Sequence, residues 1–230
     1  MLKAVLFDFD GVMVDSEFYH YRAYQEVLKP TGHDYTWDDY VSYFIGFDDR
    51  DAFRAAYSRV GHPLHDEHLR SLIAAKAAAF QRMVEKEGIT PYPGVVSLVR
   101  ALSAKYAVGL CSGALNSDVQ PVIKALDLAG CIHEIITAEQ VAGSKPDPEC
   151  YTLCVARLAA HFPERDIKPS NAVAIEDTPA GIQSARAAGL KVMSVTNSYS
   201  ADKLHEATRV VASLEGITAQ DLQLLIEDSP

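Results

Sequence analysis

"KAVLFDFDGVMVDSE", residues 3–17, runs from an apolar stretch, Ala4 to Phe7, directly into four carboxylates, Asp8, Asp10, Asp15 and Glu17. A short apolar run of this kind is the pattern of a buried strand, and the first two acids stand where such a strand ends. Further β-branched runs follow from Tyr92 onward: "YAVGLC", "EIITA", "NAVAIE", "LKVMSV" and "TRVVA". Helical stretches such as Val95 to Lys105 and Ala180 to Ala188 separate them. Near-continuous apolar strands alternating with helices predict an α/β fold, a doubly wound parallel sheet covered on both faces.

The stretch between the first strand and Tyr92 has a different texture. It carries helical patterning over Glu17 to Leu28, Trp37 to Tyr43, Asp49 to Val60 and Glu67 to Lys86, with no comparable strand. The expected organisation is an α/β core of residues 1–15 and 89–230 with an inserted α-helical cap of residues 16–88.

Composition narrows the function classes. Lys and Arg number 21 against 31 Asp and Glu, a formal net charge of −10 in 230 residues, so nothing steers the surface toward a nucleic acid or an anionic membrane. No apolar run reaches the ~20 residues of a membrane span, and the leading apolar run is too short for a signal-peptide core. A soluble cytoplasmic monomer is the expectation. Cys111, Cys131, Cys150 and Cys154 show no C-x-x-C spacing and read as reduced thiols.

In an open parallel sheet, ligands gather at the carboxyl ends of the strands. Strand one ends in Asp8-Phe9-Asp10-Gly11, and "AVGLC" in Ser112-Gly113-Ala114, after which Asn116 or Ser117 is placed to cap a helix. The third strand leads to "AGSKPDP", where Pro146 holds Lys145 away from helical backbone. "NAVAIE" ends in Glu176-Asp177-Thr178-Pro179, with Thr178 as N-cap, Pro179 as first helical residue and Gly189 closing that helix. Two aspartates, a hydroxyl, an ammonium and an acidic pair suit one Mg²⁺ and one phosphoryl group: hard oxygen ligands for the metal, a carboxylate nucleophile and a cation between two anions. An EF-hand loop does not fit, because Val12 and Met13 occupy a ligand position and the glycine position.

These four motifs resemble the haloacid dehalogenase-like superfamily, in its capped phosphatase and β-phosphoglucomutase-like branch. The first motif, D-x-D-G-x-x-x-D-[ST], reads Asp8 to Ser16. The resemblance implies Asp8 as nucleophile, Asp10 as acid/base with its carbonyl on Mg²⁺, Lys145 as catalytic cation, and Asp8, Asp10, Glu176 and Asp177 as the metal site. It further implies phosphate contacts from Ser112, Gly113, Ala114 and Asn116, and places His20 on the first cap helix and Arg50 beside the Gly46 loop as substrate contacts. The activity implied is a Mg²⁺-dependent phosphatase of a small phosphorylated metabolite, a sugar or polyol phosphate. A phosphomutase is the alternative, set back because Leu115 stands where that branch carries a basic residue. A non-catalytic phosphoacceptor switch stands third, since Asp10 supplies the base that such a switch does without.

Overall fold

A computed structural model describes residues 1–227. Its centre is one parallel sheet of β1 (Ala4–Phe7), β2 (Ala107–Cys111), β3 (Glu134–Ile136), β4 (Ala172–Glu176), β5 (Lys191–Val195) and β6 (Arg209–Val211). The spatial order is β3-β2-β1-β4-β5-β6, so β1 lies in the middle, between β2 and β4. Register places Phe7 opposite both Leu110 and Ile175. The chain leaves β1 towards β2 on one side and returns to β4 on the other. The reversal opens a crevice between the carboxyl ends of β1 and β4.

Alternation along the strands divides the apolar core into two layers. Val5 and Phe7 face one cluster with Val108, Leu110, Val173 and Ile175, packed against α5 (Val95–Ser103), α6 (Asn116–Ala125) and α9 (Ala219–Glu227). Ala4 and Leu6 face the other with Ala107, Ala172 and Ala174, packed against α7 (Glu149–His161) and α8 (Pro179–Ala187). With both faces covered, strands β1, β2 and β4 are buried at every position.

Four helices fill the stretch after β1: α1 (Glu17–Leu28), α2 (Trp37–Tyr43), α3 (Asp49–Arg59) and α4 (Asp66–Glu87). They have a core of their own, in which Tyr24, Leu28, Tyr35, Tyr40, Phe44, Phe53 and Leu69 pack together. Helix starts are chemically marked: Thr36 and Asp39 form a reciprocal capping box, and the Asp48 carboxylate accepts the Asp51 N–H. Trp37 and Tyr43 are more exposed than the aromatic pattern suggests, and Tyr43 is 65% exposed.

Several boundaries differ from the sequence reading by one to three residues. The strand expected over "EIITA" stops at Ile136, because Gln140 turns back to accept the Thr137 N–H at 2.8 Å and closes a turn. The helix expected to reach Lys105 ends at Ser103. Thr178 caps α8 as expected, accepting the Gly181 N–H at 3.0 Å, and Gly189 follows its C-cap with φ 86°. All four cysteines are unpaired. No helix among the described residues is long and apolar enough to cross a membrane.

Leu6 is fully buried beneath α7 and α8. Leu6→Ala is expected to cost about 2–5 kcal/mol of unfolding free energy, read as a lower urea midpoint at unchanged slope. A cost below about 1 kcal/mol would contradict this packing.

Candidate active site

Asp8 directly follows β1, and its N–H still donates to the Ile175 carbonyl of β4 at 3.0 Å, which fixes its carboxylate over the crevice. Glu176 and Asp177 arrive from β4 beside it. Oxygens of Asp8, Glu176 and Asp177 lie within 4.8 Å of one another, and all three residues are buried. Two glycines make this close approach feasible. A Cβ at Gly11, whose φ is +74°, would run into the Asp177 carboxylate, and one at Gly181 into the Glu176 carboxylate.

Such a concentration of anions needs a counter-charge. Lys145 Nζ donates to Asp8 Oδ1 at 2.7 Å, to Glu176 Oε1 at 2.6 Å and to the Cys111 carbonyl at 3.2 Å. Tyr151 also donates to Glu176 Oε1, at 2.5 Å. One ammonium does not balance three carboxylates. Burial and the neighbouring Glu176 charge push Asp8 up to about 8, despite Lys145. Burial, then Asp8 and Glu176, raise Asp177 well above the ordinary range. Burial works against the Lys145 charge, but Asp8 and Glu176 outweigh it and hold its pKa well above the usual lysine value.

Asp10 has a different environment. Ser16 Oγ donates to Asp10 Oδ1 at 2.5 Å, and His20 Nε2 approaches the same oxygen at 2.9 Å. Burial pushes Asp10 up, yet His20 and the Ser16 hydroxyl more than offset it and leave it below the ordinary carboxylate value. The two aspartates of the first motif thus have pKa values driven in opposite directions by their surroundings.

The remaining residues line a chamber of about 60 Å³, room for roughly four to six waters, between the sheet edge and the inserted helices. Gly113 and Ala114 form part of its floor, and the buried Ser112 Oγ accepts the Ala114 N–H at 2.9 Å. His20 forms part of its roof, stacked on Phe80 with ring centroids 4.3 Å apart. Lys76, on α4, bridges His20 Nδ1 at 2.8 Å and Asp49 Oδ1 at 2.6 Å while 1% exposed. Glu17 and Tyr40 also line the chamber, the Tyr40 hydroxyl donating to Glu17 Oε2 at 2.5 Å.

Two expected residues lie elsewhere. Asn116 is exposed at the first position of α6, with Leu115 rather than Asn116 or Ser117 at the N-cap, and its N–H donates to the Glu139 carboxylate at 3.1 Å. That amide is therefore already satisfied by an anion of the chain itself. Arg50 turns from the chamber to pair with Asp48 at 2.7 Å and to donate to the Ala142 carbonyl at 3.2 Å, because Asp48 precedes it closely and offers a buried partner. Lys76, Asp49 and Tyr151 went unread in the sequence. Each sits at an unremarkable helix position, and only the packing of α1, α3 and α4, or of α7 on β1, β2 and β3, aims it inward.

The donor set fits a hard divalent cation: three carboxylates converge, and Asp177 Oδ1 is buried without any hydrogen-bond partner. Asp177 Oδ2 is held by the Ser198 hydroxyl, which orients the free oxygen.

The sequence pattern of haloacid dehalogenase-like hydrolases matches residues 5–195. Hexitol phosphatase A of Escherichia coli (strain K12) is 30% identical over 224 residues, covering 94% of this chain and 93% of that protein. Validoxylamine A 7'-phosphate phosphatase of Streptomyces hygroscopicus subsp. limoneus is 26% identical over 216 residues, covering 93% and 95%. The crystal structure of a β-phosphoglucomutase from Clostridium difficile superposes with a TM-score of 0.85 at 23% identity over 99% of this chain and 98% of that one, which establishes the shared fold.

Between its ordinary 3.8 and about 8, Asp8 keeps in the folded state a proton that the unfolded chain has released. The metal-free protein is therefore expected to lose stability as pH rises through that window, since the folded state binds more protons. A cation replacing that proton reverses the trend, so Mg²⁺ should raise the melting temperature more at about pH 8 than at about pH 5. Equal or opposite shifts in a thermal melt would contradict the site.

Proposed function

The chain belongs to the haloacid dehalogenase-like hydrolase family, and from that membership we propose a Mg²⁺-dependent phosphatase of small sugar or polyol phosphates that works through an aspartyl phosphate on Asp8. The observation that carries this reading is the meeting of Asp8, Lys145, Glu176 and Asp177 at adjoining strand ends, with Asp10 held beside them by Ser16 and His20. The sugar and polyol class is suggested by the two phosphatases above. In this reading residues 1–15 and 89–230 are the catalytic core, and residues 16–88 the cap that closes over it.

Mg²⁺ bound by Asp8, Asp177, Glu176 and the Asp10 carbonyl would supply charge neutralisation at the phosphoryl oxygens. Lys145 adds a second cation where the nucleophile and the phosphate meet, and Gly113, on the chamber floor, offers a backbone amide to a phosphoryl oxygen. An Asp8 oxygen attacks phosphorus, the Asp8 O–P bond forms, and the bond to the leaving alcohol breaks as Asp10 delivers a proton to that oxygen. Asp10 must be protonated for this half. The arriving phosphate dianion adds a like charge beside it and raises its pKa towards that state. In the second half, the now ionised Asp10 takes a proton from water as the water oxygen attacks phosphorus and the Asp8 O–P bond breaks. His20 and Ser16 hold Asp10 at the correct position for both halves. The cap excludes bulk water from the first displacement.

Phosphorus NMR of the protein with Mg²⁺ and a panel of sugar and polyol phosphates tests the reading. Inorganic phosphate is expected to grow in; a monoester that moves to another hydroxyl without free phosphate would instead establish a mutase. Asp8→Asn should abolish turnover, Asp10→Asn should lower kcat by about 10²–10⁴-fold, and Lys145→Ala by about 10²–10³-fold, all with intact folds. Near-normal turnover in any of the three removes that residue from the chemistry.

A further inference from the structure

The chamber-lining carboxylates are almost all committed. Asp8 is held by Lys145, Asp10 by Ser16 and His20, Glu17 by Tyr40, and Asp48 by Arg50 and the Asp51 N–H. Asp49 is held as well, but differs in its second oxygen. Its Oδ1 accepts from both the Tyr24 hydroxyl and Lys76 Nζ, each at 2.6 Å, whereas its Oδ2 is buried with no partner. The Asp49 side chain is 9% exposed and the residue lines the chamber, so a ligand there lies beside a carboxylate that still lacks one partner. A buried carboxylate oxygen left unsatisfied is costly, which makes a donor on the ligand strongly favoured there.

The cations are committed in the same way. Among the described residues, the basic side chains lining the chamber are His20, Lys76 and Lys145. Lys76 holds Asp49 and His20, and Lys145 holds Asp8 and Glu176. Arg50, the other cation near the chamber, is turned onto Asp48 and the Ala142 carbonyl. A second phosphate or a carboxylate on the substrate would meet the free Asp49 oxygen with no cation left to receive it, and like charges at short range repel.

We infer that Asp49 is a specificity-determining residue that accepts a hydrogen bond from a hydroxyl of the leaving group, selecting neutral polyol monophosphates and rejecting substrates with a second anionic group. Tyr24 and Lys76 hold Asp49 through Oδ1 and leave Oδ2 without a partner. This assignment rests on the phosphatase reading above and names the chemistry its leaving-group pocket takes.

The test compares kcat/KM for substrates matched by carbon number: glycerol 3-phosphate with propyl phosphate, glucitol 6-phosphate with hexyl phosphate, and glucitol 6-phosphate with glucitol 1,6-bisphosphate. The wild type should prefer the better polyol over its alkyl partner by roughly tenfold to a hundredfold, the range for a hydrogen bond to a charged group. It should disfavour the bisphosphate by at least about tenfold. Asp49→Asn replaces a charged acceptor by a neutral amide of the same shape, so the polyol preference should fall by roughly five- to tenfold and the bisphosphate penalty should narrow. Wild-type protein that hydrolyses alkyl phosphates or the bisphosphate as well as the polyol monophosphates overturns the subsite while leaving the phosphatase reading standing. A folded Asp49→Asn protein whose preferences stay within about twofold of wild type overturns it as well. Should that variant not fold, the wild-type comparison decides alone. Absence of hydrolysis of every phosphate by the wild type would overturn the phosphatase reading and the subsite together.

Discussion

Three carboxylates held within 4.8 Å of one another, with a single lysine between two of them, form the constraint around which the rest of this protein is arranged. Left to water, such groups would separate. They are kept together because β1 and β4 are neighbours whose backbones are locked by the sheet, and because Gly11 and Gly181 leave room where any side chain would collide with them. The unbalanced charge appears in the upward shifts of Asp8 and Asp177. Carboxylates whose pKa values are raised in this way release protons when they bind a metal cation.

The inserted helices answer a different requirement. The sheet ends supply chemistry but little enclosure. The cap contributes Glu17, His20, Tyr24, Tyr40, Asp48, Asp49 and Lys76 to the chamber wall, and it is fastened to the core through Arg50 on the Ala142 carbonyl and the Asp51 carboxylate on the Ser144 hydroxyl. Both fastenings reach the segment that carries Lys145. The cap and the Lys145 segment are thus joined by direct hydrogen bonds.

Much of this was legible in the sequence because strand ends are punctuated. Asp8, Asp10, Lys145, Glu176 and Asp177 each follow an apolar run whose length and composition identify a buried strand, and a parallel sheet brings such ends to one edge. The chamber roof was not legible in the same way. Lys76 occupies an interior turn of a long helix and reads as an ordinary solvated lysine, yet it is 1% exposed, held between His20 and Asp49. Asp49 sits in an acidic helix start where a capping role accounts for its presence, and in the structure Asp48 takes that role. Asn116 shows the converse: a favourable helix-start position whose amide the Glu139 carboxylate, 23 residues away, already occupies. Tertiary neighbours decide such cases, and local pattern does not contain them.

The claim on which the account turns is that Asp8 becomes covalently phosphorylated. Quenching the enzyme during turnover, reducing any acyl phosphate with borohydride and sequencing the peptides by mass spectrometry reads this directly, because reduction converts an aspartyl phosphate to homoserine. Homoserine at position 8, dependent on both substrate and Mg²⁺, is the expected result. Homoserine at another acidic position, or unmodified Asp8 in an enzyme that is turning over, would contradict the account.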